Sequence, residues 1–111
     1  MYLVLDLCAG GELFYYISKV YGKFSESQAK LCFAEILLAL EHLHNKKILY
    51  RDLKPENVLV DAEGHLRLTD FGLSKMNHGE WDLTQTFCGS PEYMAPEMLN
   101  QEGHGFALDT Y

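Results

Sequence analysis

Three oxygen-bearing side chains, Asp52, Asn57 and Asp70, are the residues through which this sequence could do chemistry. Two of them lie in Tyr50-Arg51-Asp52-Leu53-Lys54-Pro55-Glu56-Asn57, a stretch that packs two cations, two carboxylates and a carboxamide beside the apolar run Val58-Leu59-Val60. Pro55 stiffens the bend and disfavours helix at Lys54. Charges held stiffly against a core cost desolvation energy unless they are compensated. A structural ion-pair network is one reading of such a loop. A second reading comes from the residues beyond it. If 58–69 forms a hairpin, its ends meet and Asn57 comes close to Asp70. An Asn and an Asp then offer hard oxygens of the kind Mg²⁺ takes alongside substrate phosphates. Lys54, two residues past Asp52, can neutralise developing phosphate charge near a carboxylate that orients a hydroxyl. Positioning and electrostatics of this sort are what phosphoryl transfer asks of a protein.

The elements that must hold these residues are legible from pattern. Residues 1–7 are apolar except for Asp6 and read as a buried strand, broken by Ala9-Gly10-Gly11. Glu12 to Ile17 reads as a short helix ending by Gly22. Ser25-Glu26-Ser27-Gln28 fits a capping box, and Ala29, Cys32, Phe33, Ile36, Leu37, Leu40 and Leu43 then recur at helical spacing. Leu31 and Leu38 lie off that stripe, so the helix 25–45 has two apolar faces. His42 and His44 fall where a C-terminal dipole favours them, and residues two apart do not share a helix face for a metal. Val58 to Thr69 reads as a hairpin turning at Asp61-Ala62-Glu63-Gly64-His65. Ser74 to Gln85 shows no period and reads as a mobile loop. Residues 87–93 are turn-rich, 95–99 start a short helix, 100–105 are loop, and 106–111 open another element.

Composition bounds the rest. The 111 residues carry a net charge of −7 with no like-charge block, which argues against a nucleic-acid stripe or a polybasic membrane surface. Cys8, Cys32 and Cys88 form no CxxC, and none of the five histidines makes HExxH, so a reduced cytosolic or nuclear setting is the default. No signal-peptide core and no membrane-spanning run is visible.

On four motifs the sequence resembles the eukaryotic protein kinases. Tyr50-Arg51-Asp52 stands for His-Arg-Asp with Asn57 at the matching interval, Asp70-Phe71-Gly72 is the DFG signature, and Ala95-Pro96-Glu97 is the APE signature. The resemblance covers the whole chain and implies an α+β, protein-kinase-like fold, comprising the hinge and the N-terminal half of the mainly helical large lobe. It implies that Asp52 accepts the substrate hydroxyl proton, that Lys54 steadies the transferred phosphoryl group, and that Asn57 and Asp70 hold Mg²⁺. For ATP it implies the backbone of Asp6 and Cys8, with Leu5 as gatekeeper, Glu12 at the ribose, Leu59 beneath adenine, and Thr69 beside them. Simple core packing is the other reading of Leu5 and Cys8.

Lys54-Pro55-Glu56 resembles serine/threonine kinases. Tyr50 and Thr86-Phe87-Cys88-Gly89-Ser90-Pro91-Glu92-Tyr93 resemble the AGC group, relatives of cAMP-dependent kinase and protein kinase B. That likeness implies phosphorylation of Thr86 by an upstream kinase, with Arg51 and Lys75 as charge partners. It also implies that Glu12, Glu56 and Ser90, the last in place of the usual threonine, face a protein substrate with basic residues before the acceptor. Asp109 resembles the buried aspartate that anchors the catalytic loop. No glycine-rich GxGxxG occurs, and the downstream arginine that would pair with Glu97 is absent. Residues 1–111 are therefore expected to be part of a kinase domain, lacking its small lobe and C-terminal helices and inactive alone. A pseudokinase-type nucleotide-binding or scaffold module is the competing class. A different metal-dependent phosphotransfer or hydrolytic enzyme leaves 70–97 unexplained.

Overall fold

A computed structural model describes residues 2–111, which divide into two compact units. The first comprises residues up to 36 together with 55–69; the second comprises 37–54 and 70–111. The architecture is α+β.

In the first unit, a three-stranded antiparallel sheet runs β1 (Gly11–Glu12), β2 (Val58–Val60), β3 (Leu66–Leu68), in that order. The hairpin expected over 58–69 is present, in the register Val58↔Leu68, Leu59↔Arg67, Val60↔Leu66. Its turn is built by Asp61, whose carboxylate accepts from the backbone N–H of His65 at 2.8 Å and of Glu63 at 3.1 Å and from Arg67 Nε at 3.0 Å. Burial pushes the Asp61 carboxyl up, but these donors outweigh it and hold the group below the ordinary aspartate value. The hairpin is tied to the long helix by Glu35, which accepts from Leu66 N at 2.7 Å and His65 Nδ1 at 2.8 Å.

Over the described residues 2–7, the N-terminal strand expected for 1–7 is not formed. Met1 lies outside the described residues, and residues 2–7 have no strand pairing, with Tyr2, Leu3, Val4, Leu5 and Leu7 all exposed. An apolar run becomes a strand only when a neighbouring ladder takes its N–H and C=O groups, and none of the described residues supplies one. Core packing of Leu5 is likewise not seen. The sheet begins instead at Gly11 and Glu12, read from sequence as a break and a helix start, which pair with Val60 and Leu59. Gly10 permits this approach: its N–H donates to Val60 O at 2.9 Å, and a Cβ there would lie 2.7 Å from Val60 Cβ.

After β1 the chain winds through α1 (Leu13–Tyr15) into a π-helical turn, Tyr16–Tyr21, that ends at Gly22 with φ 69°. Helix α2 (Glu26–Asn45) begins on the predicted capping box. Gln28 N donates to Ser25 Oγ at 3.3 Å, and Ser25 N donates back to Gln28 Oε1 at 2.9 Å. The covered face of α2 carries Cys32, Glu35, Ile36, Ala39, Leu40, Leu43 and His44, one stripe at helical spacing. Phe33 and Leu37, expected on that stripe, are exposed with Leu31 and Leu38.

The second unit has a core of Met94, Ala95, Met98 and Leu108, with Cys88 against it. The short helix α3 (Pro96–Leu99) supplies Met98, and the 3₁₀ turn Phe106–Thr110 supplies Leu108. Residues 74–85, expected as a free loop, are pinned in three places. Leu49 and Lys75 exchange backbone bonds of 2.9 and 2.8 Å, His78 N donates to Lys47 O at 3.0 Å, and Thr84 and His104 exchange bonds of 2.9 and 3.0 Å. A polar, aperiodic sequence concealed these ties because they use main-chain groups, which no residue pattern records.

The cap offers a direct test. Ser25→Ala in the full-length protein removes the acceptor for Gln28 N and should lower unfolding stability by about 1 kcal/mol. Urea midpoints of the two proteins at equal slope check this, and Ser25→Asp should restore the loss.

Candidate active site

In the second unit, the chain emerging from α2 passes through Leu49 and Tyr50, both fully buried, into Arg51 and Asp52. Asp109 holds this passage. Its side chain is 0 % exposed and accepts three hydrogen bonds: from Tyr50 N at 2.9 Å, Arg51 N at 2.7 Å and His44 Nε2 at 2.7 Å. A carboxylate only accepts, so Nε2 of His44 carries the proton in that contact. Arg51 is thereby fixed at φ 73°, a left-handed conformation that costs a non-glycine residue on the order of 1 kcal/mol. Its Nε donates to Leu73 O at 2.7 Å, while Nη1 is buried with no hydrogen-bond partner.

Asp52 follows, 7 % exposed, in a closed triangle. Lys54 Nζ stands 3.0 Å from Asp52 Oδ2 and donates to Ser90 Oγ at 2.7 Å, and Ser90 Oγ donates to Asp52 Oδ1 at 3.1 Å. The carboxylate is thus oriented from both oxygens, and the ammonium is placed beside it with its stem half-buried. Gly89 lets Ser90 reach this position. It has φ 109°, and a Cβ there would meet Arg51 O at 3.0 Å.

Asp70 has φ 54°; it is exposed, and its Oδ1 accepts from Gly72 N at 3.2 Å. Phe71 packs edge-on to the Tyr50 ring, with centroids 5.4 Å apart. Thr86 is exposed, with its Oγ1 3.4 Å from Thr84 Oγ1. Lys75 meets Leu49 through its backbone. Glu97, near the end of the second unit, is half-buried.

In the first unit, Asn57 is buried at the end of the 3₁₀ turn Pro55–Asn57, and Thr69 N donates to Asn57 O at 3.0 Å. This closes the hairpin one residue before Asp70. Glu56 keeps a buried Oε2 with no hydrogen-bond partner. Glu12 lies opposite Leu59 in the β1–β2 register. Cys8 is half-buried, its carbonyl accepting from Gly11 N at 3.3 Å, whereas Leu5 and Asp6 are exposed. Among the described residues no three His, Cys, Asp or Glu side chains cluster as a metal cage.

The full length of the chain, residues 1–111, matches the protein kinase domain. The chain belongs to the protein kinase family. It is 57 % identical over 109 residues to "Protein kinase 2" of Dictyostelium discoideum, covering 98 % of this chain and 22 % of that protein. It is 53 % identical over 109 residues to "Putative ribosomal protein S6 kinase alpha-1" of Caenorhabditis elegans, covering 98 % of this chain and 14 % of that one. Against the "cAMP-dependent protein kinase catalytic subunit" of Dictyostelium discoideum the identity is 52 % over 109 residues, 98 % of this chain and 16 % of that one. The chain thus spans less than a quarter of the length of these relatives. Further relatives, 51–57 % identical, are named serine/threonine-protein kinases, in keeping with the serine/threonine, AGC-type resemblance of the motifs at 50–57 and 86–93.

Within this kinase segment, two contacts escaped sequence reasoning. His44, by position a helix-end histidine, is the third donor to Asp109, 65 residues away. Ser90, expected to face the substrate, has a hydroxyl that also joins Lys54 to Asp52. No local pattern signals either contact. Asp109 is the residue to test. Asp109→Ala in the full-length kinase leaves three buried N–H groups unpaired and should cost at least about 3 kcal/mol, since each orphaned donor costs roughly 1–3 kcal/mol. Guanidinium unfolding measures it, and Asp109→Asn, which keeps one acceptor oxygen, should lose less.

Proposed function

We propose that the protein containing these residues transfers the terminal phosphoryl group of Mg-ATP to serine or threonine hydroxyls of protein substrates with basic residues before the acceptor. The observation that carries the reading is the Asp52–Lys54–Ser90 triangle. It holds a carboxylate oriented to accept a hydroxyl proton beside an ammonium able to offset charge on a transferring phosphoryl group.

In this reading Asp52 orients the acceptor hydroxyl and takes its proton as the bond from the hydroxyl oxygen to the γ-phosphorus forms and the bond from that phosphorus to the β–γ bridging oxygen breaks, releasing ADP. Lys54 stabilises the equatorial oxygens. Asn57 and Asp70 are the residues for magnesium; an amide and a carboxylate suit a hard cation that completes its shell with phosphate and water. When bound there, the ion would neutralise phosphate charge. Leu5, Asp6, Cys8, Glu12, Leu59 and Thr69 form the nucleotide side, the segment being hinge and first half of the large lobe. Thr86 is the phosphorylation site for an upstream kinase, with Arg51 and Lys75 as partners. The buried, unpartnered Nη1 of Arg51 supports this, because such a donor is stabilised by an incoming anion. Glu12, Glu56 and Ser90 face the peptide, and the orphaned Oε2 of Glu56 is a ready acceptor for a guanidinium. The setting is cytoplasmic and extends to the nucleus. Among the described residues no helix is long and apolar enough to cross a membrane.

In the full-length protein, Asp52→Asn should lower kcat by roughly 10²–10⁴ with KM for ATP little changed. Glu56→Arg should abolish the preference for basic peptides while leaving ATP hydrolysis in place. Absence of turnover in both the wild type and the first variant would favour a pseudokinase-type nucleotide-binding module, and undiminished turnover in that variant would remove Asp52 from the chemistry; unchanged peptide preference in the second removes Glu56 from substrate recognition. Residues 1–111 alone contain no glycine-rich phosphate loop, and the same assay on that piece should show no turnover.

A further inference from the structure

Two histidines of the second unit have no place in the chemistry above, yet they are among its most buried side chains. His78 is 1 % exposed and His104 is 2 % exposed, and none of their four ring nitrogens has a hydrogen-bond partner. Both sit at ties that hold the segment at residues 78 and 84. His78 N bonds to Lys47 O, and His104 exchanges two backbone bonds with Thr84, whose hydroxyl lies 3.4 Å from that of Thr86. The His78 ring stands edge-on to Phe106 at 5.1 Å, and His44 lies against the same phenyl ring at 4.6 Å. Buried with neither ring nitrogen partnered, the His104 imidazole suits this place as a neutral ring.

We propose that His104, backed by His78, is an acid-sensitive latch: a proton on its buried ring opens the Thr84–His104 bridge and frees the segment that carries Thr86. An unpaired buried charge is among the costliest groups a fold can hold, whereas the same imidazolium is well solvated once the bridge opens. The surrounding charges favour the neutral ring. Arg51 and His78 face His104 and oppose a proton, while Glu97 of α3 favours one. The Glu102 carbonyl pulls the same way as Glu97 without reaching hydrogen-bond geometry. From the end of α2, Lys47 meets His78 through its main chain, and His44 is committed to Asp109. The Asp109 carboxylate is in turn taken up by Tyr50, Arg51 and His44, and the Asp82 carboxylate accepts from Gly79 N at 2.7 Å. Burial first, then Arg51 and His78, hold the His104 pKa below the ordinary imidazole value. The closed form therefore binds fewer protons than the open one. Its stability is fully present above about pH 6.5 and is lost as the pH falls toward the lowered value.

Amide hydrogen exchange of the full-length protein from pH 7.5 to 5.0, corrected for the intrinsic rate, tests the latch. Protection at Thr84 and His104 should fall by roughly tenfold for each pH unit below the ordinary imidazole range, while Leu49 and Lys75, bridged without histidine side chains, keep theirs. Equal loss at all four amides, or none at Thr84 and His104, overturns the proposal. Should His104→Phe fold, its Thr84 protection should be independent of pH; continued acid loss in that variant also overturns it. The wild-type His104 Cε1–H NMR titration needs no variant. A midpoint at or above the ordinary imidazole value in the closed form overturns the latch, and a midpoint below it supports the latch.

Discussion

The Asp109 carboxylate is the interaction on which the second unit depends. A fully buried charge is tolerable only when its lone pairs are used, and Asp109 uses them on Tyr50 N, Arg51 N and His44 Nε2. Those bonds do more than neutralise a cost. They fix two consecutive peptide groups and hold Arg51 at positive φ, which no local preference would maintain. The direction of the chain at Asp52 follows from that fixation. An acidic group in a 3₁₀ turn near residue 109 thus sets the aim of a carboxylate 57 positions earlier, through main-chain groups alone.

Around that anchor the unit divides its polar groups into satisfied and open ones. Asp52, Lys54 and Ser90 satisfy one another, so their geometry is preorganised. Arg51 Nη1 and, in the first unit, Glu56 Oε2 are left open. Buried polar atoms without partners are uncommon in native folds, and they mark positions where an incoming group of opposite charge would be stabilised. His78 and His104 are open in a different way. Their ring nitrogens are buried without partners, and burial makes a proton on the His104 ring costly.

The first unit shows the complementary arrangement. The hairpin carrying Asn57 and Leu59 is held by its own turn at Asp61 and by Glu35 from α2, so its register does not depend on a large core. A one-residue slip would move Asn57 off its bond with Thr69 and turn Leu59 to the other face. Local carboxylate–amide bonds substitute here for apolar burial. This accords with how many apolar side chains on α2 and in residues 2–7 remain exposed.

Much of this was legible in the residues themselves. The capping box at Ser25 and Gln28, the hairpin at 58–69 and the spacing of Asp52, Lys54, Asn57 and Asp70 are local patterns, set by hydrogen-bonding reach and side-chain periodicity. The match to the protein kinase domain over residues 1–111 agrees with the family those motifs indicated. Other features were set by contacts between residues distant in sequence. Residues 2–7 have the composition of a strand, but strand formation requires a partner ladder, which composition cannot supply. Residues 74–85 look unstructured because their ties are main-chain bonds to Leu49, Lys47 and His104. The roles of His44 and Ser90, and the positive φ of Arg51 and Asp70, arise only once tertiary contacts hold them. The sequence by itself determined which chemical groups are present and at what intervals. Tertiary structure decided which of them are paired, which are left open, and which way Asp52 points, because a buried carboxylate at 109 must find its donors wherever the chain brings them.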